Sequence, residues 1–155
     1  LDPETVALSL ILNDVLDAAD DGFTAATIER DLPDELPVEG AEALYSVFDN
    51  LVENAVDHAD TDDVRVRVTG EREGDCVCVT VADNGQGVNA GDREQIFEQG
   101  VSRDGGGHGL YVADTIVDRL DGTIRVTESD LGGAAFVVEL PAADPTNEDD
   151  DPFSA

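Results

Sequence analysis

Two short stretches alternate in side-chain character without a break, and they limit the architectures open to this chain more than any other feature. Val64-Arg65-Val66-Arg67-Val68-Thr69 and Cys76-Val77-Cys78-Val79-Thr80-Val81 lie on either side of Glu73-Gly74-Asp75. A period of two puts alternate side chains on opposite faces of an extended strand, so the pair reads as an antiparallel hairpin with one valine-lined face. That face must be covered by a second layer. A further hairpin, Thr123 to Thr127 and Ala135 to Leu140, is joined through Gly132-Gly133. Ala25 to Leu32 reads as one more strand, ended by Pro33 and Pro37.

The covering layer is supplied by stretches with helical period. Leu44, Val47, Phe48, Leu51 and Ala55 recur at i, i+3, i+4, i+7 and i+11, which predicts a helix from about Glu39 to His58. Apolar residues from Pro3 to Ala19 predict another. A third begins near Gly109, presents Leu110, Ala113, Ile116, Val117 and Leu120, and stops at Gly122 as a C′ residue. Antiparallel hairpins with helices collected on one face make an α+β fold, a two-layer sandwich with a mixed, mostly antiparallel sheet. The expected division is an N-terminal helix over residues 1–22 that continues from an upstream region, a domain over 23–141, and an acidic disordered tail over 142–155.

Charge narrows the partners. The 155 residues carry a formal net charge of −29, and all eight basic residues are arginine. Such a surface excludes binding to nucleic acid or to an anionic membrane, both of which need a basic patch. Extreme acidity without lysine also fits a cytoplasm salty enough to screen self-repulsion, and we expect a halophile's protein. No apolar run approaches the roughly 18 residues of a membrane span, and no signal-peptide pattern opens the chain. Cys76 and Cys78, the only cysteines, share one face of a strand and cannot easily bridge each other; they read as small buried hydrophobes.

Three clusters carry chemistry. On the second helix Asn50, Asn54, Asp57 and His58 form a polar stripe beside the apolar one. A side-chain amide oxygen is a hard neutral ligand suited to Mg²⁺, although the same spacing also fits a solvated helix face. Asp83-Asn84-Gly85-Gln86-Gly87 follows directly on a strand. Its carboxylate can accept from an exocyclic amine while the glycines let backbone pass close to a flat ring, or the segment is an ordinary turn. Gly105-Gly106-Gly107-His108-Gly109-Leu110 runs into the third helix, where converging N–H groups and the helix dipole suit phosphate. The glycine-rich stretch before it, from Gly85, reads as a mobile loop with one apolar island at Ile96-Phe97.

In order, these pieces resemble the Bergerat-fold (GHKL) ATP-binding family, which includes sensor histidine kinases, gyrase-type topoisomerases, mismatch-repair ATPases and heat-shock chaperones. Asn50-Leu51-Val52-Glu53-Asn54-Ala55 is similar to the kinase N box, Asp83 to Gly87 to the first glycine box, and Ile96-Phe97-Glu98 to the F box. Gly107-His108-Gly109-Leu110 is similar to the second glycine box and Gly132-Gly133-Ala134-Ala135-Phe136 to the last. The resemblance implies an ATP site with Asn54 on Mg²⁺, Asp83 on the adenine amine, and a lid over roughly Val88 to Gly106 pinned by Phe97. Asn50, Asp57, His58, Gly85, Gly87, Val88, Arg103, Gly105, Gly107, His108, Gly109 and Leu110 complete the expected nucleotide contacts.

Within that family, hydrolytic members carry a glutamate one turn before the metal-binding asparagine. Asn50 stands there in this chain and cannot take a proton from water. The resemblance therefore points to a two-component sensor histidine kinase whose ATP is kept for a histidine on a separate dimerisation and phosphotransfer domain, with a response-regulator receiver downstream. The parent protein would be a homodimer, cytoplasmic at this domain and open to membrane anchoring elsewhere. Asp57 and His58 replace the Lys and Tyr of many kinases, and Ala134 a common Thr. The alternatives are an anti-sigma-factor-type serine kinase and a nucleotide-sensing or interaction module without phosphotransfer.

Overall fold

The structure, a computed structural model, describes residues 4–22, 26–57, 63–85 and 108–143. A five-stranded sheet runs in the order β2 (Thr27–Asp31), β4 (Arg65–Glu73), β5 (Cys76–Asp83), β7 (Ala134–Pro141), β6 (Thr123–Glu128). Every pairing is antiparallel except β2 with β4. That parallel pair needs a crossover, supplied by the chain through β3 (Pro37–Gly40) and α2 (Leu44–Asp57). Helices α1 (Leu8–Gly22), α2 and α3 (His108–Arg119) complete the second layer, as the hairpin pattern requires.

One core joins the layers. Val66, Val68, Val77, Val79 and Val81 are fully buried on the inner face of the sheet, with Phe136, Val138 and Leu140 of β7 beside them. Against them pack Leu8, Leu12, Val15 and Leu16 of α1, Val47, Phe48 and Leu51 of α2, and Ala113 and Val117 of α3. Leu32 and Leu36 lie close over Gly70, where an added Cβ would come within 3.0 Å of Leu36.

Four details depart from the sequence-based expectation. Residues 4–7 form strand β1 (Glu4–Ala7), not helix, because they pair antiparallel with β3. The same pairing delays α2 to Leu44, taking Glu39 and Gly40 out of the expected helix and into β3. The left-handed residue ending α3 is Asp121 (φ 63°), with Gly122 N–H donating to the Val117 carbonyl at 2.9 Å, so Gly122 occupies C″. Glycine is needed there for space, since a Cβ would overlap the Glu139 carbonyl. Finally, Cys76 is exposed and Cys78 half-buried, both free, because the inner face of β5 belongs to its valines.

Chain entry and exit meet at β3. Leu8 N–H donates to the Leu36 carbonyl at 3.1 Å, Val38 bridges Ala142, and Ala143 N–H donates to the Pro37 carbonyl at 3.0 Å. Ala142 and Ala143, the first residues of the expected tail, are thus tied to the domain, and Ala143 is buried.

Candidate nucleotide site

Strand parity delivers Asp83 to the site. Val77, Val79, Val81 and Asp83 point to the same inner face of β5, so the strand that fills the core ends by placing a carboxylate under the helical layer. Asp83 is 6% exposed, one of two buried polar residues among those described. A buried carboxylate is tolerated only with partners, and backbone supplies them. Oδ1 accepts N–H bonds from Gly85 at 2.9 Å and from Ala134 at 3.1 Å. The Asp83 carbonyl accepts the Gly133 N–H at 3.0 Å.

Asn84 points the other way and works as a clamp. Its Oδ1 accepts from Arg65 N–H at 2.8 Å, its Nδ2 donates to the Asp63 carbonyl at 2.7 Å, and its own N–H donates to the Arg65 carbonyl at 3.2 Å. The residue that turn chemistry alone would assign to a bend therefore fixes the start of β4 to the end of β5, directly beside Asp83.

Helix α2 packs on β5 and β4 and presents Asn50 and Asn54 at its half-buried margin, one turn apart, next to buried Leu51 and Ala55. That margin, between core and solvent, is where a ligand can be both desolvated and reached. Amide oxygens there fit a hard cation. Among the described residues no three His, Cys, Asp or Glu side chains group as a metal nest; Mg²⁺ commonly takes one or two protein ligands and completes its shell with phosphate and water.

The third expected cluster is described only where it enters the helix. His108 opens α3, so the glycine run does lead into a helix N-terminus, and Leu110 is half-buried against the core. Of Asp57, which closes α2, and of His108 only the backbone is described. His58, Gly87, Val88, Phe97, Arg103, Gly105 and Gly107 lie outside the described residues, as does the expected lid. Sequence reasoning did not assign the Gly133 and Ala134 amides to Asp83. The contact joins residues 50 or more apart, and backbone N–H groups leave no trace in residue type.

A sequence profile described as "Histidine kinase-, DNA gyrase B-, and HSP90-like ATPase" matches residues 39–144. The sensor histidine kinase CpxA of Escherichia coli K12 is 32% identical over 152 residues, covering 89% of this chain and 32% of its own. The alginate biosynthesis sensor protein KinB of Pseudomonas aeruginosa is 33% identical over 121 residues, 74% of this chain and 20% of its own. The chain therefore spans a third or less of these relatives. The catalytic domain of histidine kinase ThkA superposes with a TM-score of 0.82 at 22% identity, over 91% of this chain and 96% of that one, which establishes the shared fold. The ATP-binding domain of PrrB from Mycobacterium tuberculosis gives 0.76 at 27% identity, over 93% and 100%.

Proposed function

This chain belongs to the family of Histidine kinase-, DNA gyrase B-, and HSP90-like ATPases, and on that premise we propose that it is the catalytic, ATP-binding domain of a sensor histidine kinase. It passes the γ-phosphoryl group of ATP to a histidine on a separate dimerisation and phosphotransfer domain, from which a response-regulator receiver takes it. The observation that carries this reading is Asp83, a buried carboxylate held at a strand end by backbone N–H groups. An acceptor fixed in that way suits the exocyclic amine of adenine.

Each remaining role follows from donor chemistry. Asn54 is the protein's ligand to Mg²⁺, which when bound neutralises charge on the triphosphate. Asn50, an amide, has no basic site with which to activate water, so the triphosphate waits for another nucleophile. The N-terminus of α3, with Gly105, Gly107, His108, Gly109 and Leu110, takes phosphate oxygens, and Arg103, His58 and Asp57 line the polyphosphate path. Gly85, Gly87 and Val88 pass along the base, and Phe97 anchors the segment that covers it. The acceptor nitrogen then attacks phosphorus as the bond to the ADP oxygen breaks. The domain contributes alignment and charge placement, which suffice for phosphoryl transfer.

None of the described helices is long and apolar enough to cross a membrane; we place the domain in the cytoplasm of a homodimeric parent sensor. The net charge of −29 without lysine supports adaptation to high salt.

Thermal unfolding tests the reading. In molar KCl, a Mg·ATP analogue at 100 times its dissociation constant stabilises the domain by about 2.7 kcal/mol, and Asp83→Asn removes that gain. Absence of any shift in a folded wild type rules out the pocket. Labelled ATP and the full-length protein then test transfer, and a chain that binds ATP yet leaves its upstream histidine unlabelled is not the kinase proposed. An unchanged melting temperature between dilute buffer and molar KCl would contradict salt adaptation.

A further inference from the structure

The β6–β7 turn is built to hold one carboxylate in one orientation. Ser129 N–H donates to the Gly133 carbonyl at 2.9 Å, Gly132 N–H to the Ser129 carbonyl at 3.0 Å, and Leu131 N–H to Ser129 Oγ at 2.9 Å, so the turn is closed on itself. From this frame the Gly133 and Ala134 amides reach across to Asp83, one to its carbonyl at 3.0 Å and one to its Oδ1 at 3.1 Å. Gly133 has no room for a side chain: a Cβ there would overlap Asp83 Oδ1 and approach Gly85 N to 2.5 Å and the Asp83 carbonyl to 2.8 Å. Its neighbour differs. Gly132 is glycine for its backbone, with φ at 107° and nothing within 4 Å of an added Cβ.

A carboxylate has about two lone-pair sites on each oxygen. Oδ1 of Asp83 fills both with protein donors, Gly85 N–H and Ala134 N–H. This has a consequence for base choice. Guanine offers two adjacent donors, N1–H and the 2-amino group, which match a carboxylate that can present both oxygens side by side. Adenine offers a single amine and needs one oxygen only. A carboxylate with one oxygen saturated is thus matched to adenine and denied the bidentate pairing that guanine would use.

We propose that Gly133, with the Ala134 amide, is the positioning element that makes this site select adenine over guanine, by committing Asp83 Oδ1 to the protein. The proposal rests on Asp83 reading the base. Adding a methyl at Gly133 displaces the carboxylate from Ala134 N–H and returns one acceptor site of Oδ1 to a ligand.

The test is a ratio. Dissociation constants for non-hydrolysable ATP and GTP analogues with Mg²⁺ are measured by calorimetry in molar KCl for wild type, Gly133→Ala and Gly132→Ala. Wild type prefers the adenine nucleotide by about tenfold or more, the equivalent of one well-placed hydrogen bond. Gly133→Ala lowers that preference about tenfold, while Gly132→Ala, which strains the turn without touching Asp83, lowers stability and leaves the ratio alone. A folded Gly133→Ala protein with wild-type preference overturns the proposal but spares the reading of Asp83. Wild type without any preference overturns both. If Gly133→Ala does not fold, Ala134→Pro, which removes the same donor, carries the same expectation and the same refutation.

Discussion

Strand β5 begins at Cys76 and ends at Asp83, and the two ends hold acidic groups under opposite conditions. At the first, Glu71 and Glu73 of β4 and Glu139 of β7 sit beside Cys76 and Cys78 on the outer face of the sheet, open to water. Their charges are handled loosely: Glu139 pairs with Arg125 at 2.8 Å, and Glu73 shares a hydrogen bond with Glu71 against the repulsion of that residue's charge. At the second, one carboxylate is buried and bonded from two backbone segments. Solvent gives the first end latitude to change residue or rotamer at little cost. Burial removes it at the second, because a displaced carboxylate there would lose its donors and find no water.

The largest effects are expected at the buried end. Asp83→Ala leaves the Gly85 and Ala134 amides without their acceptor and lowers stability by about 1–3 kcal/mol in denaturant titration, in addition to abolishing nucleotide binding. If stability is unchanged, the two ends do not differ as described. Asn84→Ala removes two side-chain hydrogen bonds and costs about 1–2 kcal/mol, with β4 losing amide protection near Arg65 in hydrogen exchange.

A smaller effect of opposite sign comes from α3. Burial, and then the neighbouring Asp118 charge, raise the Asp114 carboxyl above its ordinary value. A folded-state value above the unfolded one means that stability is lost as pH rises through that interval, and the loss persists at neutral pH. Asp114→Asn should therefore stabilise by about 0.2–0.5 kcal/mol at pH 7, the scale of one i,i+4 like-charge pair, and the gain should vanish in acid.

The exposed end should show least. A hydrogen bond with Glu71, reinforced by that residue's charge, raises the Glu73 carboxyl. Glu73→Gln should raise the melting temperature slightly at pH 7, not at all below the ordinary glutamate range, and less in molar KCl than in dilute buffer. A shift as large as that of Asp83→Ala would erase the contrast between the two ends. Cys76→Ser should be silent, since its side chain is exposed.

Much of this arrangement was legible in the residues. Alternation across Val64–Thr69 and Cys76–Val81 gave both strands and their valine-lined face, and the spacing of Leu44, Val47, Phe48, Leu51 and Ala55 gave α2 and its buried stripe. Asp83 continues the parity of Val77, Val79 and Val81, so its inward direction could be counted along the strand. What misled was local pattern without a partner. Residues 4–7 and 37–40 carry too few residues to announce a strand, and each becomes one only because the other lies alongside. The cysteines were misplaced for a related reason. Their residue type favours burial, but a strand has one inner face, and the valines took it.

The sequence by itself determined the periods, and with them the layers, the faces and the order of the chemical clusters, because each is a property of spacing along one chain. Tertiary structure decided which backbone groups meet. Asp83 and Ala134 are 51 residues apart, and neither residue type reveals that one amide serves the other's carboxylate. Only the pairing of β5 with β7 brings them within hydrogen-bond reach, and only the absent side chain at Gly133 lets them close.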